Sequence, residues 1–246
     1  MTNKGIIYIA FNNAFVQESF LSAESVKRFM PEMPITLFTD KDVRCDFIDD
    51  IIRINPKHIR SKVDYITESP YENTLYLDSD TVVMMDITDM FEVLKRFDVG
   101  FVHDYARKRN NYCKIKEYAD IPYSFSEVNG GIMSFNNSDN TKQFLRLWQK
   151  KFYEYKDATN GWDQVSLRIA LWQSNVRIHH YPIEYNVRPS SIRDKVRRNH
   201  AQLGASHLLP RIYHMHYDHE VHNGVFNIKS LTELENIVRE REESYR

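Results

Sequence analysis

Much that would mark an unusual chain is scarce here. Two cysteines, Cys45 and Cys113, are too few for a disulfide framework or a CxxC metal site, and both read as reduced thiols. Seven glycines and eight prolines leave no room for collagen-like repeats, low-complexity tracts or long linkers. Neither sign of charge dominates: 33 Lys and Arg stand against 34 Asp and Glu, a net of −1. That removes the bulk electrostatic drive toward nucleic acid, so no nucleic-acid partner is expected. No stretch approaches the roughly 18 apolar residues of a membrane span. The opening MTNKGIIYIAFNN is too short in its apolar run for a signal segment and is broken by Asn12 and Asn13. A soluble cytoplasmic protein, at most peripherally attached to a membrane, is the expectation.

What is present suits one globular domain. With 246 residues and 42% hydrophobic content, the chain can hide about 70–75% of its unfolded surface without staples. Short apolar runs alternate with helical spacing. Gly5–Ala10 reads as a buried strand, followed by a helix carrying Val16, Phe20, Ala23 and Lys27 that Pro31 and Pro34 stop. Ile35–Thr39, Ile51–Ile54 and Thr74–Leu77 read as strands, with Ile59–Glu68 helical before Pro70. Further strands are expected at Val99–His103, Gly131–Phe135, Val176–Tyr181 and Ile212–His216. A last helix, about residues 230–244, opens on a Ser230/Glu233 capping box and shows an apolar face of Leu231, Leu234, Ile237 and Val238. This alternation predicts an α/β fold with a mixed central sheet flanked by helices, and ligand binding beyond the carboxyl ends of its strands.

Leu75-Tyr76-Leu77-Asp78-Ser79-Asp80-Thr81-Val82-Val83 is the strongest local signal. Two carboxylates one residue apart, where a hydrophobic strand emerges, suit a hard divalent cation such as Mn²⁺ or Mg²⁺ bound together with phosphate oxygens. The plainer reading is that they cap a turn. Asn129-Gly130-Gly131 before an apolar strand marks either a close backbone approach to a ligand or an ordinary turn with positive φ. Asp163-Gln164 opens a helix whose Val165, Ile169 and Trp172 share a face; Asp163 serves the helix dipole, and Trp162 is either core or a stacking surface for a sugar. His214 and His216 alternate on the expected strand and so face one side. His103-Asp104 and His179-His180 read as strand-end polar residues. Asn186–Pro210 lacks periodicity, and its basic stretch Arg193–Arg198 is either a solvated loop or a cover for a diphosphate.

YLDSDTVV resembles the metal-binding segment of GT-A nucleotide-sugar glycosyltransferases, especially glycosyltransferase family 8. Other segments follow that family's order: Ala10-Phe11-Asn12-Asn13-Ala14-Phe15 after the first strand, Lys62 on a short helix before the DxD strand, Asn129–Asn136, Gly161-Trp162-Asp163-Gln164, and Ile212-Tyr213-His214. Two positions depart from it. The family's first-loop aspartate is Asn12 here, and Met215-His216-Tyr217-Asp218-His219 stands where the family has Lys-Pro-Trp.

The resemblance implies a GT-A fold and a metal-dependent transfer of a sugar, with retention of its configuration, from a nucleotide diphosphate, UDP by preference, to a hydroxyl of a glycan, lipid or protein. It implies that Asp78, Asp80 and His214 hold the cation, with His216 in reserve. Ala10, Asn12 and Phe15 would frame base and ribose, and Lys62 and Ser79 would lie by the phosphates. Asn129 and Gly130 would position the sugar, with Asp163 and Gln164 near the anomeric carbon. The rival readings are a nucleotidyltransferase that makes nucleotide sugars, although no Gly-rich basic loop follows the first strand, and a non-catalytic nucleotide-sugar-binding module.

Overall fold

The computed structural model describes residues 4–188, 210–216, 221–222 and 225–243. In chain order the strands are β1 (Lys4–Ile9), β2 (Ile35–Thr39), β3 (Asp50–Arg53), β4 (Asn73–Leu77), β5 (Thr81–Val83), β6 (Val99–His103), β7 (Val128–Asn136), β8 (Ile178–Tyr181), β9 (Ile212–His214), β10 (Val221–His222) and β11 (Val225–Phe226). The helices are α1 (Asn13–Phe29), α2 (Lys62–Tyr65), α3 (Asp89–Val93), α4 (Lys116–Asp120), α5 (Asp139–Tyr155), α6 (Gln164–Gln173) and α7 (Leu231–Glu243). The fold is α/β, with a mixed sheet in the order β3-β2-β1-β4-β7-β6-β8. The continuous apolar runs of β1 and β2 are what a strand covered on both faces requires. Two compact units make up the chain: the first holds Ile6–Asn55, Leu77–Thr88 and the chain from Pro182 onward, the second Pro56–Tyr76 and Asp89–Tyr181.

In the first unit β1, β2 and β3 run parallel, with Ile6 opposite Ile35 and Thr36 opposite Asp50. β5 pairs antiparallel with β9, Thr81 opposite His214. Leu231, Leu234 and Val238 of α7 pack with Leu21, Val82 and Tyr213, so the expected apolar face of the last helix is the buried one. Asn12 caps α1 by accepting the Phe15 N–H at 2.7 Å.

One face of α1 is polar and buried. Glu18, Ser22 and Ser25, at helical spacing i, i+4 and i+7, meet residues 79, 81 and 83, which alternate along the DxD segment and β5. Ser79 Oγ donates to Glu18 Oε2 at 2.7 Å, Ser22 Oγ lies 2.9 Å from Thr81 Oγ1, and the Val83 N–H donates to Ser25 Oγ at 2.9 Å. Thr81 Oγ1 donates to the Asp78 carbonyl at 2.9 Å, and Tyr8 Oη lies 2.8 Å from Ser22 Oγ. Each hydroxyl has one proton, so Thr81 accepts from Ser22 and Ser22 from Tyr8. The relay runs from Tyr8 through Ser22 and Thr81 to the backbone of Asp78.

In the second unit β6 is flanked by β7, antiparallel, and β8, parallel. The β6–β7 register breaks: Phe101 faces Met133, but Val102 faces Asn129, leaving Gly130, Gly131 and Ile132 as a bulge. The Asn-Gly-Gly segment therefore lies within the strand and is not a turn before it. Neither glycine has positive φ; among the described residues that conformation falls to Asn160, Gly161 and His216.

Several boundaries differ from expectation for identifiable reasons. The helix expected over Ile59–Glu68 reduces to α2 and a 3₁₀ turn, because Ser61 Oγ accepts the N–H groups of Lys57 and His58 and holds the preceding chain in a turn; Ile59 is 65% exposed. The strand expected to reach His216 stops at His214, since His216 has φ 55°. The reading above names no element over 139–155, yet α5 is long, capped by Ser138 on the Thr141 N–H, and buries Phe144, Leu145, Trp148 and Phe152. Trp172 is exposed, not on the buried face with Val165 and Ile169. Residues 193–198 lie outside the described residues.

Ser22→Ala is expected to lower stability by about 1–3 kcal/mol, because the buried hydroxyls of Tyr8 and Thr81 lose their shared partner. Urea unfolding checks it, and Tyr8→Phe combined with Ser22→Ala should cost less than the sum of the two single losses. Strict additivity would show that the hydroxyls do not act as one relay.

Candidate active site

Each unit holds one cluster of polar side chains. In the first, Asp80 and His214 sit on adjoining elements, one just before β5 and the other at the end of β9. His214 Nε2 lies 3.2 Å from Asp80 Oδ1 and 3.8 Å from Asp78 Oδ2. Its other ring nitrogen, Nδ1, is 3.1 Å from Asn186 Oδ1. An amide oxygen can only accept, so Nδ1 carries a proton and Nε2 is the nitrogen that faces the two aspartates. His216 stacks on His214 with ring centres 4.7 Å apart and an interplanar angle of 19°. The rings share a side as expected, but the left-handed backbone at His216, not strand alternation, puts them there.

His216 is chemically different from its neighbour. Arg188 Nε donates to His216 Nε2 at 2.8 Å, which occupies that lone pair and leaves the proton on Nδ1, 3.7 Å from Asp80 Oδ2. Burial, then the adjacent His214, pushes its pKa down to about 4. Burial also opposes ionisation of Asp80, but His214 and His216 together outweigh it and hold that carboxyl well below the usual range. Ligand atoms of Asp80, His214 and His216 lie within 4.8 Å of one another. Carboxylate oxygens with an imidazole lone pair fit a divalent cation of the Mn²⁺ or Mg²⁺ class, and Asp78 stands beside them. Backbone bonds fix the cluster further: the Met215 N–H donates to the Asp80 carbonyl at 2.8 Å and the His216 N–H to Asp80 Oδ2 at 3.2 Å.

Other expected residues of this unit occupy the first loop. Ala10 is buried just past β1, its N–H donating to Phe38 O at 3.0 Å. Asn12 spends its side-chain oxygen on the helix cap, and Phe15 meets Phe11 edge to face. Ser79 turns toward Glu18.

The second cluster joins α2, β7 and the start of α6. Buried Lys62 donates to the Gly130 carbonyl at 3.0 Å and pairs with Asp163 Oδ2 at 3.4 Å. Burial alone would raise the Asp163 pKa; Lys62, then Arg60, outweighs it and keeps the carboxylate ionised below its ordinary range. A Cβ on Gly130 would come within 3.3 Å of Leu167 Cδ2, a tight contact that a shift of the leucine by a few tenths of an ångström would relieve. Gln164 Nε2 donates to Asp104 Oδ2 at 2.8 Å, Asn129 Nδ2 lies 3.4 Å from the same oxygen, and Asn129 Oδ1 accepts the Gly131 N–H at 3.0 Å. Arg109 bridges Asp104 at 3.1 Å and Glu127 at 3.0 Å, and Tyr118 hydrogen-bonds Glu127. Trp162 is 42% exposed, which settles it as no part of the core.

The sequence reading missed Asn186, which orients His214, and Arg188, which separates the roles of the two histidines. It also set aside Asp104 as a strand-end residue, whereas Asp104 is fully buried among Gln164, Asn129 and Arg109. A charged residue ending an apolar strand is the one signal that marked it.

The sequence pattern of the nucleotide-diphospho-sugar transferases matches residues 72–226, well over half of the chain. No curated protein is similar to it by sequence. Solved structures are similar in fold: galactosyltransferase LgtC in complex with donor and acceptor sugar analogs has a TM-score of 0.60 at 16% identity, covering 86% of this chain and 87% of LgtC. Glycosyltransferase GlyE of Streptococcus pneumoniae TIGR4 has 0.58 at 17%, over 86% of this chain and 54% of its own. Mouse xyloside xylosyltransferase 1 has 0.54 at 12%, over 86% and 97%.

The Lys62–Asp163 pair gives a pH signature. A carboxylate with depressed folded pKa adds stability that is present above its unfolded value and lost as pH falls through the folded one. In Lys62→Met, burial is opposed only by Arg60 and a backbone hydrogen bond, so the acid-side loss of stability should begin at higher pH. Unfolding free energies measured from about pH 3 to 7 check this; a superimposable acid limb would mean that Lys62 does not set the charge of Asp163.

Proposed function

This chain belongs to the nucleotide-diphospho-sugar transferase family, a glycosyltransferase using a nucleotide-sugar donor, and we propose that it is cation-dependent, takes UDP-sugar and transfers with retention to an acceptor hydroxyl. The observation that carries the reading is the aim of His214: its Nε2 faces Asp80 and Asp78 while Asn186 holds Nδ1. Asp78, Asp80 and His214 hold the cation, which when bound offsets charge on the departing diphosphate. Arg188 keeps His216 out of that role and beside it. Ala10, Asn12 and Phe15 frame the base and ribose, and Ser79 sets the DxD backbone. Asn129 and Gly130 hold the sugar, with Lys62, Asp163 and Gln164 at the reacting end.

In the transfer, the bond from the anomeric carbon to the phosphate oxygen breaks and its electron pair leaves with UDP. The acceptor oxygen gives a pair to that carbon, and its proton passes to the departing phosphate oxygen. Inversion would need a carboxylate base with a pKa near the working pH. Asp163 is paired with Lys62 and Arg60 and held below the ordinary carboxylate range, which supports retention.

Incubation with UDP-sugars and Mn²⁺ tests this by its products: UDP supports the proposal, whereas UTP and sugar 1-phosphate formed only when pyrophosphate is added indicate a nucleotidyltransferase, and no product a binding module. Asp80→Asn should keep the fold and lose cation-dependent turnover by at least about tenfold, a neutral amide being a poorer ligand for a hard cation. His214→Ala should weaken Mn²⁺ and UDP binding together in calorimetric titration, and His216→Ala much less. The reverse order would make His216 the ligand.

A further inference from the structure

In the second unit, Tyr105, Arg109 and Trp162 form a shelf. The Arg109 guanidinium lies 5.1 Å from the Trp162 ring centre and 5.7 Å from that of Tyr105. Tyr112 adds a tilted ring 6.5 Å from Trp162. Tyr105 is 40% and Trp162 42% exposed, so large aromatic faces remain open to solvent.

The shelf is rigid. Arg109 is clamped by Asp104 and Glu127, both fully buried on their side chains, and its N–H donates to the Tyr118 hydroxyl at 2.6 Å. Trp162 follows two residues in the left-handed region, Asn160 at φ 51° and Gly161 at φ 75°. Its own N–H donates to Thr159 O at 3.1 Å, and its carbonyl accepts from Thr159 Oγ1 at 3.0 Å. An exposed indole on a strained, pinned turn is a preorganised surface.

Its position in the chain matters too. Tyr105 directly follows Asp104, the partner of the Gln164 amide, and Trp162 directly precedes Asp163, which caps the helix that Gln164 begins. Both exposed rings are thus anchored on the residues that fix the proposed reacting end.

We propose that Trp162, Arg109 and Tyr105 form the acceptor subsite and that the acceptor is a saccharide. The inference rests on the transferase reading above. A pyranose has one face of C–H groups and a rim of hydroxyls, which matches part-exposed aromatic rings with a guanidinium set among them. An acyl chain would need continuous apolar surface, and the Arg109 guanidinium between the rings denies it one.

The full-length protein is tested with Mn²⁺, UDP-glucose or UDP-galactose as donor, and lactose, cellobiose or a serine-containing peptide as acceptor. Release of UDP by the wild type without acceptor reports on the transferase reading alone. The subsite predicts that a disaccharide, and not the peptide, accelerates UDP release. Trp162→Ala should raise the disaccharide KM by about tenfold or more, the scale of one stacking contact, with a smaller effect on kcat. Trp162→Phe should restore most of that affinity, and Trp172→Ala, an exposed indole elsewhere in the unit, should leave the KM unchanged. Saturation-transfer NMR with the same disaccharides reads binding directly: signals that Trp162→Ala loses support the subsite even if UDP release fails. An unchanged KM and unchanged NMR signals in Trp162→Ala, an equal rise in Trp172→Ala, or acceleration by the peptide alone would overturn it.

Discussion

The geometry of the DxD segment depends on a match between two periodicities. A helix returns to the same face every three to four residues and a strand every two, so Glu18, Ser22 and Ser25 can each reach one of residues 79, 81 and 83. Without these bonds, Asp78 and Asp80 would hang on an ordinary connection after a buried strand. With them, the backbone carbonyl of Asp78 ends a relay that begins at Tyr8, deep in β1. Desolvated hydroxyls gain little net energy when paired but lose much when orphaned. The arrangement therefore acts by making alternatives expensive.

The second unit uses charge in the same way. Lys62 is buried with Asp163, and Arg109 with Asp104 and Glu127. Ion pairs removed from water contribute little to stability as a sum, since desolvation offsets attraction, but breaking one partner leaves an uncompensated charge. Their value here is positional. Lys62 also holds the Gly130 carbonyl and Asp104 holds the Gln164 amide, so backbone and side chain are fixed by groups that cannot move singly.

The strands were largely legible because runs such as GIIYI and ITLFT leave few alternatives. α5 was not, since its apolar positions at 144, 145, 148 and 152 are diluted by Lys, Arg and Gln on the outer face. DxD, Asn-Gly-Gly and Asp-Gln were readable as local groupings of polar residues against apolar runs. Asn186 and Arg188 were not, because their roles arise from contacts with histidines far along the chain, and nothing in their own neighbourhood encodes that. The bland serines of α1 carried no signal either: a serine facing the core looks like one facing water until its partner is placed.

The bulge in β7 changes the parity of that strand. Paired residues on neighbouring strands point to the same side, so Met133 shares a side with Phe101 and Asn129 with Val102, on opposite sides of the sheet. Four residues apart on an unbroken strand, Met133 and Asn129 would have shared one side. One strand thus serves a dry interior at one end and a polar cluster at the other. With one residue fewer among Gly130, Gly131 and Ile132, Met133 and Asn129 would stand three apart, a spacing that regular alternation already places on opposite sides; the bulge makes an even spacing act as an odd one. Straightened at its present length, the strand would instead turn the Asn129 amide into the hydrophobic layer, a reversal of inside and outside with no polar side chain altered.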